Sequence, residues 1–132
     1  MRLRWGINVL KSRPLRSYGN QISYVDKSFA SEQAYLIGRL HCNMPEWERA
    51  NIEFLLSGGF VISTNVPKLN KPTLIVWGTQ DKILDVKYAY QFQRLLPDNE
   101  LALIEQCGHI PHLEKSEETA HVIMQFLEKR GL

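Results

Sequence analysis

Asp81 and His109 are the two residues of this sequence whose types and positions are best suited to chemistry. Each follows a short apolar run, residues 73–77 and 101–104, typical of a strand buried on both faces of a parallel sheet. Neighbouring strands lie about 4.8 Å apart, so the loops that follow them can bring a carboxylate to one imidazole nitrogen. That carboxylate would fix the tautomer of His109 and stabilise its charged form, while the other nitrogen faces a nucleophile.

Each of these residues also has a structural interpretation. An Asp after a strand is usually a turn former or a helix cap, although Asp85 can take the cap role and leave Asp81 for chemistry. A single His is usually structural or a surface residue. Cys107, His109 and His112 could suggest a metal site, but no fourth ligand lies at a recognisable spacing, so neither a metal nor a cofactor is expected.

The elements that would position this pair alternate between strand and helix. A helix from Asp85 to about Leu96 follows the first strand, and a helix capped by Ser116 and ended by Gly131 follows the second. The faces expected to point inward are Val86, Ala89, Phe92 and Leu96 in the first helix, and Ala120, Ile123, Met124 and Leu127 in the second. This alternation predicts an α/β fold with two parallel strands and right-handed crossovers.

The first 57 residues are predicted to be helical instead. The predicted elements are a helix over residues 1–11, a mostly loop segment over 12–27, a helix that Ser28 caps and that runs to about Leu40, and a helix that Asn43 caps and Gly58-Gly59 end. Pro14 and Gly19 are the reason for assigning residues 12–27 to a loop.

Composition sets wide limits on function. The chain has 132 residues, of which 44% are hydrophobic and 23% charged, which is typical of a soluble globular domain. A formal net charge of +2 is too balanced to predict a nucleic-acid partner, and no apolar run approaches the roughly 18 residues that span a membrane. Two cysteines fit a reducing compartment or a single bridge equally well, so the compartment stays open, with an intracellular one favoured.

The N-terminus is basic. Its first 25 residues carry five basic side chains and no acid, which leaves open the organelle targeting of a longer precursor. The favoured interpretation is the solvated face of an amphipathic helix, because Leu3, Ile7 and Leu10 repeat at helical spacing.

Two stretches resemble parts of the α/β-hydrolase fold. Residues 72–81 (PTLIVWGTQD) resemble the seventh strand and acid-bearing loop of that family, and residues 107–114 (CGHIPHLE) resemble the loop that carries its catalytic His. The matches cover about residues 67–130. The resemblance implies that Asp81 is the acid of a catalytic triad and His109 its general base. It also implies that His112 supports the loop and that Glu114 braces the start of the last helix.

The resemblance extends to the helical part by position. Many members of this family carry a helical cap over the active site, and residues 1–57 resemble such a cap and the helix that returns to the core. Residues 58–132 would then be the C-terminal part of the core. Side chains that could line a pocket, or simply pack between cap and core, are Tyr35, Met44, Trp47 and Phe54.

The family's nucleophile is missing from the pattern. No Gly-x-Ser-x-Gly turn occurs in the 132 residues, and no oxyanion loop is recognised. The resemblance therefore implies the C-terminal portion of a hydrolase of ester, C–C or related bonds. This portion would bind a small-molecule substrate only when completed by the N-terminal half. The alternative is a non-catalytic truncated product that acts, if at all, by binding a partner or itself, because two strands alone leave an apolar edge exposed.

Overall fold

The structure, a computed structural model, describes residues 2–59 and 64–131. Its helices and strands are α1 (Arg2–Lys11), α2 (Arg13–Ile22), α3 (Glu32–Gly38), α4 (Trp47–Leu56), β1 (Thr73–Gly78), α5 (Lys87–Leu95), β2 (Asn99–Ile104), α6 (Pro111–Glu114) and α7 (Ser116–Arg130). Short 3-10 helices cover Lys27–Phe29, Leu40–Asn43 and Val66–Lys68. We call residues 2–59 the helical region and residues 64–131 the β/α region. None of the helices in these two segments is long and apolar enough to cross a membrane.

The predicted loop over residues 12–27 is wrong, since α2 occupies most of it. Pro14 lies in the first turn of α2, where its missing N–H costs least. Gly19 lies inside the helix, where glycine is unfavourable by only about 1 kcal/mol relative to alanine. Both residues are therefore compatible with a helix.

Two predicted helix caps also lie elsewhere. Ser31, not Ser28, caps α3, because the Ser31 hydroxyl accepts the N–H of Ala34 at 3.1 Å. Asn43 ends a 3-10 helix, and α4 begins at Trp47 without a side-chain cap. The predicted glycine stop is confirmed, since Gly58 and Gly59 follow α4 with φ of +81° and +79°.

The two predicted strands are confirmed, and they pair directly. They are parallel, and their register runs from Thr73 opposite Asn99 to Gly78 opposite Ile104. The N–H groups of Thr73 and Thr79 donate to Asp98 and Ile104. Successive N–H groups of a strand point to opposite sides, so those of Leu74, Val76 and Gly78 point away from β2. On that side of β1 the described residues form no third strand.

The core of the β/α region lies on one face of this sheet. Its buried residues are Val66, Ile75, Ala89 and Leu96, with Trp77, Val86, Phe92 and Leu101 packed against them. The inward face predicted for α5 is thereby confirmed. This face of α5 packs against β1 and β2, and the candidate site lies at the carboxyl ends of these two strands.

The buried face predicted for α7 is wrong. Thr119 and Phe126 are its buried residues, whereas Ile123 and Met124 are 40% and 53% exposed. The described sheet has two strands and covers only a narrow side of this helix, so most of its apolar surface has nothing to pack on. Ser116 is the first helical residue rather than the cap, and Gly131 ends the helix at φ +66° as predicted.

Candidate active site

Asp81 and His109 lie side by side at the carboxyl ends of the two strands. The Oδ2 atom of Asp81 is 2.8 Å from Nδ1 of His109. The Asp81 side chain is only 4% exposed, whereas that of His109 is 34% exposed. The carboxylate is thus shielded from water, and the imidazole stays accessible.

The second oxygen of Asp81 shapes its own loop. Oδ1 accepts the N–H groups of Ile83 at 2.7 Å and Leu84 at 2.9 Å. Asp81 is therefore both a turn former and the partner of His109. Asp85 accepts the N–H of Lys87, the first residue of α5, at 2.8 Å, which is the helix-end role predicted for it.

The two loops approach each other so closely that a side chain cannot lie between them. A Cβ on Gly78 would lie 2.1 Å from the carbonyl oxygen of Gly108 and 2.4 Å from that of Cys107. The N–H of Gln80 donates to the same Cys107 carbonyl at 2.9 Å. These backbone contacts fix the separation of the Asp81 loop and the His109 loop.

The helical region holds the His109 loop from the other side. The N–H of His109 donates to the carbonyl of Ser23 at 2.7 Å. A Cβ on Gly108 would lie 2.4 Å from that carbonyl oxygen. The strand end alone therefore does not determine the position of His109.

Glu114 joins the two regions. It is 6% exposed, its Oε1 accepts the N–H groups of Val25 at 2.6 Å and Asp26 at 2.7 Å, and its Oε2 accepts the N–H of Gly108 at 2.7 Å. The expectation that Glu114 braces the last helix is wrong, because its contacts are with the His109 loop and residues 25–26. No local pattern could reveal partners 88 and 89 positions away.

The thiol beside the pair is inert. Cys107 is fully buried, and burial, followed by the negative charge of Glu114, raises the pKa of its thiol to about 11. A neutral thiol is neither a good nucleophile nor a metal ligand. Residues 2–59 and 64–131 contain no group of three or more His, Cys, Asp or Glu arranged to hold a metal, and His112 is exposed.

A cavity of about 1020 Å³ lies between the helical region and the two loops. Ile83 and Ile110 bring its wall next to Asp81 and His109. Of the four pocket candidates, Tyr35 and Trp47 line this cavity and Met44 and Phe54 do not. The lining residues that no sequence pattern indicated include large side chains of the helical region, among them Leu10, Leu15, Tyr18, Tyr24 and Phe29.

The comparison with known families decides the assignment. A sequence profile described as the alpha/beta hydrolase fold matches residues 4–116. The chain belongs to the alpha/beta hydrolase fold family. Its four N-terminal helices and two-stranded parallel sheet form part of that fold.

Individual members of the alpha/beta hydrolase family match different lengths of the chain. The alpha/beta hydrolase domain-containing protein VTE7 of Arabidopsis thaliana is 30% identical over 122 residues, which are 92% of this chain and 37% of that protein. Human monoacylglycerol lipase ABHD6 is 35% identical over 68 residues, 52% of this chain and 20% of that protein. The chain thus spans well under half the length of these relatives.

Solved structures of alpha/beta hydrolases agree with the fold. A serine hydrolase involved in carbazole degradation, the CarC enzyme, superposes with a TM-score of 0.70 at 27% identity, over 89% of this chain and 48% of that one. A thermophilic esterase superposes with a TM-score of 0.67 over 92% of this chain and 49% of that one, and at 21% identity it supports the fold alone.

Proposed function

We propose that this chain supplies the acid and the general base of a hydrolase site, with Asp81 as the acid and His109 as the base. The observation that carries the proposal is the 2.8 Å contact between the shielded carboxylate and the accessible imidazole, in a chain of the alpha/beta hydrolase family. The nucleophile would come from polypeptide outside these 132 residues.

The chemistry follows from the geometry of the pair. Nδ1–H of His109 donates to Asp81, which leaves Nε2 free to accept the proton of an attacking hydroxyl. The imidazolium that forms is stabilised by Asp81, whose shielding from water strengthens the attraction. His109 then returns the proton to the leaving group. Asp81 fixes the tautomer of the base throughout.

The helical region would serve as the cap of this site, with residues 1–57 as the cap and returning helix and 58–132 as core. The cavity between the helical region and the Asp81–His109 pair supports this assignment, because a substrate held there would contact the helical region and lie next to the pair. Removal of water by such a cap would strengthen the electrostatic effects on the reacting atoms.

The bond that is cleaved is proposed from the relatives. Their names include a monoacylglycerol lipase and a 2-hydroxy-6-oxo-6-(2'-aminophenyl)hexa-2,4-dienoic acid hydrolase of Metapseudomonas resinovorans, the latter 37% identical over 66 residues, 50% of this chain and 23% of that protein. A small molecule with an ester or an activated C–C bond is accordingly the proposed substrate class.

A chimera tests the catalytic roles. The 132-residue chain, with Ser23 and residues 25–26 that hold the His109 loop, would replace the corresponding segment of the carbazole-degrading serine hydrolase, and ester hydrolysis would be measured. We expect an active chimera in which His109→Ala or Asp81→Asn lowers kcat about 10⁴-fold, as loss of a triad member does. His112→Ala is the matched control and should change little, because His112 is exposed. An active chimera that tolerates His109→Ala would refute the proposal.

The 132-residue chain offers an independent test. Nitrogen-15 NMR of its imidazoles should show neutral His109 protonated at Nδ1, and Asp81→Asn should alter this signature. A neutral His109 protonated at Nε2 would contradict the geometry on which the proposal rests. The isolated chain should hydrolyse p-nitrophenyl acetate no faster than its His109→Ala variant, because no nucleophile elbow is present.

The open edge of β1 favours a second candidate, binding of a protein partner without catalysis. The N–H groups of Leu74, Val76 and Gly78 face that edge, and an unpaired edge is a template for another strand. Size-exclusion chromatography and urea unfolding test this candidate. A concentration-dependent oligomer supports it, and a monomer with a steep two-state transition counts against it.

A further inference from the structure

Among the residues that the structure describes, the charged side chains on the cavity wall are all of one sign. They are Arg16 and Arg39, with no Asp and no Glu, and the other described wall residues are largely apolar. A cavity for a purely neutral hydrocarbon needs no arginine, and a half-buried cation is stabilised by a neighbouring anion.

Arg16 is half-buried and has no carboxylate partner within the described segments. Its Nε donates to the carbonyl of Leu10 at 2.9 Å, and its Nη2 lies 3.4 Å from Nε2 of His41. The guanidinium carbon is 5.9 Å from the centroid of the Trp47 ring, and Nζ of Lys11 lies at the same distance from that ring. Two cations thus share one aromatic side chain, and neither forms an ion pair with a described residue.

Arg39 has an unused hydrogen-bond donor. Its Nη1 donates to the Tyr35 hydroxyl at 3.0 Å, and its guanidinium carbon lies 5.5 Å from the Tyr35 ring centroid. Its Nε is buried and has no hydrogen-bond partner among the residues that the structure describes. That atom is closed off from the cavity, so an anion held there would reach the Arg39 guanidinium only through its other nitrogens.

Arginines away from the cavity behave differently. Arg13 pairs with Glu32 at 2.9 Å, and Arg49 pairs with Glu46. Both are largely exposed, where an ion pair contributes little. Arg94 has no carboxylate partner among the described residues either, but it is exposed to water, whereas Arg16 and Arg39 are half-buried.

We infer that the cavity binds an anionic amphiphile, with its hydrocarbon chain on the apolar wall and a phosphate or carboxylate group at Arg16 and Arg39. The inference rests on the proposed function in one respect, since it makes this amphiphile the substrate class of the neighbouring Asp81–His109 pair. Guanidinium groups suit planar or bidentate recognition of both anions. Lys11 adds positive potential without touching the cavity.

Calorimetric titration of the 132-residue chain tests the ligand class. The probes, used below their micellar concentrations, are 1-lauroyl lysophosphatidic acid, 1-monolauroylglycerol and inorganic phosphate. We expect the lysophosphatidic acid to bind about fivefold more tightly or better than the neutral ester, as an ion pair of modest strength allows. Raising the NaCl concentration should shrink that advantage, because salt screens the charge. Inorganic phosphate should bind far more weakly, since it has no chain to bury.

Charge-removing variants localise the effect. Arg16→Gln and Arg39→Gln should each reduce the preference for the anionic probe and leave affinity for the neutral ester nearly unchanged. Arg49→Gln is the matched control, because it removes one positive charge from α4 outside the cavity wall. Circular dichroism shows whether each variant keeps its helices. Where a variant unfolds, the NaCl dependence of the wild-type preference for lysophosphatidic acid shows whether the chain recognises the charge of the probe.

Several results would overturn the inference: equal affinity for the two lauroyl compounds, a preference that survives both arginine variants, or no binding of either compound. Phosphate binding as tight as that of the lysophosphatidic acid would assign the arginines to a free anion instead. Because binding is measured without turnover, its failure leaves the roles of Asp81 and His109 intact. Conversely, an inactive chimera with normal binding would count against those roles only.

Discussion

The helical region and the β/α region differ in how their buried apolar residues are arranged. The β/α region has a contiguous core around Val66, Ile75, Ala89 and Leu96. In the helical region, α2 and α4 contain no buried residue, and Ile37 and Leu56 are 68% and 69% exposed. The helical region buries residues too, among them Ile7 and Cys42, but α2 and α4 leave much of their apolar surface open.

The β/α region positions the candidate acid and base, whereas the helical region supplies most of the cavity wall. The candidate acid and base lie at the ends of strands that a packed core holds in register, and the Ser23 and Glu114 contacts complete the position of His109. The cavity wall is drawn from helices whose apolar faces stay uncovered, which suits contact with a ligand or with further polypeptide. The two regions meet at Glu114 and Gly108, and that junction is where the difference can be tested.

The largest effect is expected from Glu114→Ala. It leaves the N–H groups of Val25, Asp26 and Gly108 without their acceptor. The Gly108 donor is buried and the other two are partly buried, and an unsatisfied buried donor costs about 1–3 kcal/mol. We expect a loss of about 3–5 kcal/mol in the free energy of urea unfolding, summed over the three donors. Hydrogen exchange at Val25 and Asp26 should accelerate before that of β1. Glu117→Ala, on the exposed side of α7, is the control. Equal losses for the two variants would mean that the junction does not couple the regions.

Gly108→Ala should separate the same surfaces by steric means. The new Cβ would lie 2.4 Å from the Ser23 carbonyl oxygen and 3.1 Å from Cα of Tyr24, both of them backbone atoms. We expect a loss of about 3 kcal/mol, the upper end for an overpacked site, measured by urea unfolding. Exchange of the His109 amide, which donates to Ser23, should accelerate. Wild-type protection at His109 would show that the regions are not docked as described.

The pH dependence of unfolding at alkaline pH tests how well the β/α region shields Cys107. The Cys107 thiol has its pKa raised from 9.0 to about 11 in the folded protein, so folding favours the protonated form. That contribution is fully present below pH 9 and is lost as pH rises from 9 to 11, by about 2 kcal/mol. Cys107→Ala should lose correspondingly less stability over that interval. Identical pH profiles for variant and wild type would show that the thiol is not shielded.

The smallest effect, and one of opposite sign, is expected from Gly19→Ala in the helical region. A Cβ at Gly19 meets no atom within 4 Å, and the residue lies inside α2. Alanine should therefore stabilise the protein by about 0.5–1 kcal/mol. The helical signal in thermal denaturation followed by circular dichroism measures the change. A loss of stability would indicate that α2 is packed more tightly than its exposure suggests.

The strands and the Asp81–His109 pair could be predicted because their signals are local. Continuous apolar runs ended by glycine identified β1 and β2, and the geometry of parallel strands then brought the residues after them together. The face of α5 was predicted correctly because it packs on the same sheet.

The errors arise where the deciding contact is distant in sequence or depends on context. Pro14 and Gly19 are loop formers in most settings, yet both fit inside α2. The buried face of α7 depends on how much sheet lies beneath it, which periodicity does not report. The contacts of Glu114 with residues 25–26 have no local signature at all.

The contacts of Glu114 with residues 25–26 also bear on the order in which the protein folds. β1 and β2 are paired at a separation of 26 positions, whereas Glu114 closes loops of 88 and 89 residues. The entropy lost on closing a loop grows with its length, so contacts between distant residues tend to form late. We therefore expect β1 and β2 to pair before the contacts of Glu114 with residues 25–26 hold the His109 loop. The site would acquire its final geometry only in the last step, when residues 25–26 meet Glu114.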